Sequence, residues 1–158
     1  MVVAMWKALP LCLAALVMAT LAQAAEPWER WLLVKSSDGA WGYNAMSIKT
    51  GAKPGTKTVR WVQFVSTPVK YEFGDWSVAL SDTAFNCGTK TYTTFAMVMF
   101  DREVKAIDVI TPNIQHPLPR TGAVATLHKI VCQRGTLKGA RELPSIQTVL
   151  HELKALAR

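Results

Sequence analysis

The chain reads as an α+β domain: a single antiparallel β-sheet of about six strands, a short helix before Cys132, and a C-terminal amphipathic helix packed on the sheet. Three observations predict this. From Trp31 to Ile110, short runs of β-branched and aromatic residues alternate with turn clusters, at the spacing of an antiparallel sheet. Apolar residues at helical spacing occur only later, at residues 124–131 and 146–157. Beyond the first residues only two cysteines remain, Cys87 and Cys132, and the second lies at the end of the first helical stretch.

The N-terminal 24 residues read as a secretory signal peptide. Lys7 precedes an apolar run over 8–19, and the small-residue sequence Ala22-Gln23-Ala24 follows, which is the order of a signal with its cleavage site. A membrane-spanning helix needs about 20 predominantly apolar residues. This run contains Pro10 and gives way to Thr20, Gln23 and Glu26, so an anchor is the weaker reading. Cys12 follows Leu9-Pro10-Leu11, without the small residue that precedes a lipidated cysteine, and leaves with the signal.

The full chain carries a formal charge of +7, and loss of Lys7 leaves +6 on residues 25–158. A cationic exported domain favours anionic partners such as lipid headgroups, polyanionic polysaccharide or nucleic acid, and charge by itself chooses none of them. In an oxidising compartment Cys87 and Cys132 are expected to pair; two buried free thiols are the alternative. Closing that loop stabilises the fold by roughly 4 kcal/mol on the chain-entropy view. Neither cysteine has the C-x-x-C spacing of a redox or zinc motif.

The elements follow in order. Residues 31–35 form a first strand and 41–48 a second, joined at Asp38-Gly39, where glycine takes the positive φ of a tight hairpin. Residues 49–57 hold Gly51, Pro54, Gly55 and three lysines with almost nothing apolar, and read as a solvated connection. In 58–66, Arg60, Val62 and Phe64 share one face while Val59, Trp61 and Gln63 share the other, as suits a strand covered on both sides. Residues 76–87 and 89–100 are long strands reversing at Gly88, the second burying both faces from Phe95 onward. Residues 103–110 are the last strand. A proline-punctuated connection runs through Pro112, Pro117 and Pro119 to a short helix over 121–131, which brings Cys132 back to Cys87. In 145–157, Ile146, Val149, Leu150, Leu153 and Ala157 share a face opposite Gln147, His151, Lys154 and Arg158.

The order and spacing of several of these features resemble the surface-adhesin protein E-like family of small exported bacterial proteins. The resemblance covers Trp31 to Cys132. It rests on the early tryptophan strand, Asp38-Gly39, Tyr43 with Ser47-Ile48, Arg60-Trp61-Val62, Phe85-Asn86-Cys87 with Tyr92, and Pro119, Gly122 and Val131-Cys132. It implies an antiparallel sheet of about six strands with helix packed against it, pinned by a cysteine pair, and a domain over 25–132. The family's name comes from an adhesin that binds host extracellular-matrix proteins and plasminogen. Asn44 departs from the pattern, standing where an acidic residue often follows the tyrosine, and the tail over 133–158 extends past the usual end. No ligand motif carries over to positions here.

Catalytic signatures are absent from the sequence. His116, His128 and His151 lack a second ligand at i+2 or i+4, and each reads as a surface or capping residue. There is no G-x-S-x-G elbow, no H-E-x-x-H and no phosphate-binding glycine loop. Scattered acids nominate no carboxylate pair, and Met97 and Met99 read as core filler rather than haem ligands. No cofactor or metal is expected. Lys49, Lys53, Lys57 and Arg60 form a candidate patch for an anionic partner, with scattered solvation as the bland alternative. A second basic group, Lys138, Arg141, Lys154 and Arg158, lies in the tail. Trp28, Trp31, Trp41, Trp61 and Trp76 read as core and sheet-face residues rather than stacking platforms for sugars or bases. The tail helix has a rival reading as a membrane-surface helix, against which docking on the sheet is preferred.

The expectation is an exported, periplasmic or surface-associated binding domain without catalysis. Its partner is a protein or a polyanionic envelope or host component, and nucleic acid is not expected. A structural role in the bacterial envelope is the alternative, and a hydrolase with an unfamiliar site is a third reading. Mass spectrometry of the protein from an exporting host is expected to find Ala25 as the first residue; recovery of the uncleaved chain from the cytoplasm contradicts export.

Overall fold

Among residues 29–37 and 39–156, which the computed structural model describes, nine strands form one antiparallel sheet. Residues 1–28, where the signal peptide is expected, and Asp38, Ala157 and Arg158 lie outside the described residues. The strands are β1 (Trp31–Ser36), β2 (Gly39–Asn44), β3 (Lys49–Thr50), β4 (Thr56–Val69), β5 (Trp76–Asn86), β6 (Thr91–Phe100), β7 (Ala106–Ile110), β8 (Ile114–Pro117) and β9 (Arg141–Leu143). Two helices complete the fold, α1 (Ala123–Gln133) and α2 (Ile146–Leu156). The sheet runs β7-β6-β5-β4-β2-β1-β9, with β3 pairing on β4 and β8 on β6.

The six expected strands are present, and the other three are short. β3 has two residues and falls in the lysine-rich stretch read as a solvated connection. β8 places His116 opposite Tyr92, on a strand rather than in a proline loop. Its residues are all exposed, and Pro117 is tolerated because an edge strand need not donate on its outer side. β9 pairs with β1 and so ties the tail into the sheet.

Boundaries move for local reasons. The second strand stops at Asn44, whose Oδ1 accepts from the Met46 and Arg30 amides at 3.0 and 3.1 Å and caps a 3₁₀ turn at Ala45–Ser47. Asparagine thus performs an N-cap role here. The last expected strand begins at Ala106 rather than Glu103, because Asp101 accepts from the Lys105 amide and Val104 takes a φ of 62° in the turn. Gly39 has a φ of 149°, and a Cβ there would collide with the Phe64 carbonyl on β4.

β4 is covered on both sides, as its alternation requires. Val62 and Phe64 pack with Trp31, Leu33, Val78, Val149 and Leu153 under α2. Val59 and Trp61 pack with Trp41, Tyr43, Phe85, Leu127, Ile130 and Val131 under α1. Trp31, Trp41 and Trp61 are buried in these two cores. Trp61 donates its indole proton to Thr83 Oγ1 at 3.0 Å, which also lies 3.1 Å from Thr94 Oγ1, so the buried ring leaves no polar atom unpaired. Met99 is buried as core filler.

The helices are fastened differently. α1 runs through Cys132, whose disulfide to Cys87 at the end of β5 spans a Cα–Cα distance of 5.5 Å. α2 is held by its apolar face, with Val149 and Leu153 fully buried, while Gln147, His151 and Lys154 face solvent. Its first turn is capped by Glu29, whose carboxylate accepts from the Ile146 amide at 2.7 Å and from the Trp31 indole at 3.2 Å. An anion at a helix N-terminus satisfies orphan N–H groups and complements the dipole.

Cutting the disulfide releases a 45-residue separation and is expected to cost about 4 kcal/mol of unfolding free energy. The Cys87→Ala/Cys132→Ala chain should therefore unfold at a clearly lower urea concentration than the oxidised protein. Matching midpoints would contradict the staple.

Candidate ligand-binding groove

Eleven residues of α2 extend about 16 Å, whereas the fourteen of β4 extend about 46 Å. One helix of this length cannot roof the sheet. Strand register shows how the α2 face divides into cross-strand rows. Phe64, Val78 and Phe100 make one row, and Val62, Leu80 and Val98 the next. Of these residues, Val62, Phe64 and Val78 are buried in the α2 core, and Leu80 and Phe100 pack against it. Arg60, Asp82 and Ala96 follow, with the guanidinium donating to both Asp82 oxygens at 2.8 Å. Two further rows, Thr58-Ala84-Thr93 and Thr56-Asn86-Thr91, lie beyond this ion pair.

Those last two rows line a groove of about 360 Å³. Their side chains are small, so the sheet is left concave where the first rows are filled by Phe and Val. Gly51 and Lys53 line it on the side of the β3–β4 turn, and Asn113, just before β8, and Gln115 on β8 line it opposite. The turn is braced by bonds from the Gly51 amide to the Thr56 carbonyl at 2.9 Å and from Thr56 Oγ1 to the Lys53 carbonyl at 2.5 Å. The Cys87 amide donates to the Gly55 carbonyl at 3.1 Å, so the disulfide end of β5 also holds the turn.

Phe95 also lines the groove. It is 37 % exposed, contrary to the expectation that burial of β6 begins there. The cause is a β-bulge: Asp82 pairs with Ala96 and Thr83 with Thr94, leaving Phe95 as the extra residue. Bulges of this kind re-aim a side chain.

The arrangement suits binding. Threonine hydroxyls and the Asn and Gln amides offer hydrogen bonds, threonine and alanine methyls with the Phe95 ring offer apolar contact, and Lys53 supplies the charge. Among the described residues, no histidine, cysteine or carboxylate lines the groove.

The four basic residues singled out in the sequence do not share one surface. Lys53 lines the groove and Lys49 is exposed on β3. Lys57 lies on the α1 side, where its Nζ donates to the Val131 carbonyl at 3.0 Å in the last turn of α1, a favourable place for a cation. Arg60 is engaged by Asp82. In the tail, Arg141 pairs with Glu152 at 2.9 Å. Sequence reasoning missed the threonine rows, which need strand register to assemble, and the bulge at Phe95.

It also misplaced His128. Helical periodicity sets this residue with Ala125, Leu127 and Val131 toward the sheet, and it is 3 % exposed, its ring 5.8 Å from that of Phe85. Burial, aided by the charge of Lys90, holds its pKa below the ordinary value of 6.5.

Comparison with protein-family models, curated proteins and solved structures gave no match.

The His128 shift fixes a sign. Between the lowered folded value and 6.5 the unfolded chain binds more protons, so stability rises with pH and falls on acidification through that window. The urea midpoint should drop further between pH 7.5 and 5.5 for the wild type than for His128→Leu. Equal drops would contradict a neutral buried imidazole.

Proposed function

We propose that this chain is an exported, periplasmic or surface-associated binding domain without catalytic activity, and that the threonine-lined groove is where it engages a protein or envelope or host component. The observation that carries the reading is the unroofed end of the sheet, where small polar side chains and the exposed Phe95 line one concavity. A preformed depression in a braced scaffold lets a ligand bind at low ordering cost. Lys53 in the groove and the exposed Lys49 on β3 favour a partner with negative charge.

Export is supported by the signal-like N-terminus and by the disulfide, since such bonds persist in oxidising compartments. Among the described residues no helix is long and apolar enough to cross a membrane. The resemblance to surface-adhesin protein E-like proteins supports an adhesin-like role. The groove's described lining offers hydrogen bonds and apolar contact, which suits binding.

Ala84→Trp fills the floor of the groove without touching either core. Crosslinked capture from native envelope and from extracellular-matrix protein is expected to fall at least about tenfold for this variant, the loss of a central hot-spot contact, with thermal unfolding unchanged. Which of the two sources yields the partner separates an envelope role from an adhesive one. Capture undiminished from both would contradict the groove as the binding site.

A further inference from the structure

The other face of the sheet holds a second concavity, of about 290 Å³, between α1 and the segment that leads into it. Lys90 comes from the β5–β6 turn, Arg120 from the segment after β8, and Lys129 from α1, and these three cations line the cleft with no carboxylate among its described lining residues. All three side chains are exposed, and the ion pairs among the described residues involve none of them. The Leu118 amide donates to the Lys90 carbonyl at 2.9 Å, which joins the two loops that carry the charges. Three like charges from distant stretches of chain repel one another, and nothing in the described residues neutralises them.

His128 lines the same cleft, and its Nε2 is buried without a hydrogen-bond partner. A buried polar atom left unpaired is costly, and native folds rarely keep one without use. With its proton on Nε2 the neutral ring is a donor that lacks an acceptor.

We propose that this cleft is a phosphate-binding site, in which Arg120, Lys90 and Lys129 hold the anion's oxygens and His128 donates from Nε2 as the anion settles against it. A tetrahedral dianion matches the set because it accepts from several directions at once, the planar guanidinium taking two oxygens and each ammonium acting as a point charge. The phosphate group is carried equally by the free ion and by a lipid headgroup. The cleft lies on the α1 side and shares no lining residue with the groove.

The test uses the oxidised, signal-free protein. Inorganic phosphate is titrated at constant ionic strength by calorimetry and by NMR of the His128 ring, and vesicles of phosphatidic acid in phosphatidylcholine are tested by co-sedimentation against phosphatidylcholine alone. Saturable binding is expected, with movement of the His128 signals, and the surface variant Arg120→Gln/Lys129→Gln should weaken it at least about tenfold. Phosphate bound without vesicle retention identifies the free ion as the source. Retention that depends on phosphatidic acid and is lost in the variant identifies the headgroup. Ala84→Trp should leave phosphate affinity unchanged, which separates this site from the groove. Absence of saturable binding in both arms, or equal binding by the Arg120→Gln/Lys129→Gln variant, would overturn the proposal.

Discussion

A helix advances about 1.5 Å per residue and a strand about 3.3 Å, and that mismatch governs this molecule. The central strands β4 and β5 hold fourteen and eleven residues, and the helices on the two faces hold eleven each. Neither helix can roof the sheet from end to end. α2 settles where Val62, Phe64 and Val78 offer bulk, and the far end of its face is left to threonine, alanine and asparagine. The Arg60–Asp82 pair marks the border between the two regimes. Being partly exposed, it adds little stability.

Both helices rely on contacts far away in sequence. Glu29 caps α2 across 117 residues, and Lys57 donates to the α1 carbonyl of Val131 across 74. The disulfide joins the end of β5 to the last helical turn of α1, and the neighbouring Cys87 amide steadies the turn beside the groove. Ordering of the α1 side and ordering of the groove's lysine-bearing wall are therefore linked through one residue.

The legible parts of the fold were those written in local pattern. Alternation in 58–66 announced a strand buried on both faces, and the apolar stripe at Ile146, Val149 and Leu153 announced a helix docked on the sheet. The cysteine pairing followed from counting. The short strands β3, β8 and β9 were not legible, because two to four residues carry no periodicity and their pairing comes from the neighbouring strand. The bulge at Phe95 was hidden for a related reason. It shifts the face of each residue beyond it, and only the register with β5 reveals the shift. His128 looked like a surface residue by type, and its burial is decided by the position it occupies on α1. The groove rows needed both register and knowledge of where α2 stops.

We propose the unroofed end of the sheet as the working surface. Its most direct test is hydrogen exchange, followed by mass spectrometry, on the oxidised protein free and in complex with whichever partner it captures. Added protection is expected in the 51–58 turn, around the Phe95 bulge and at 113–115, with α2 unchanged. Protection confined to α2, or to the β1–β9 edge, would contradict it.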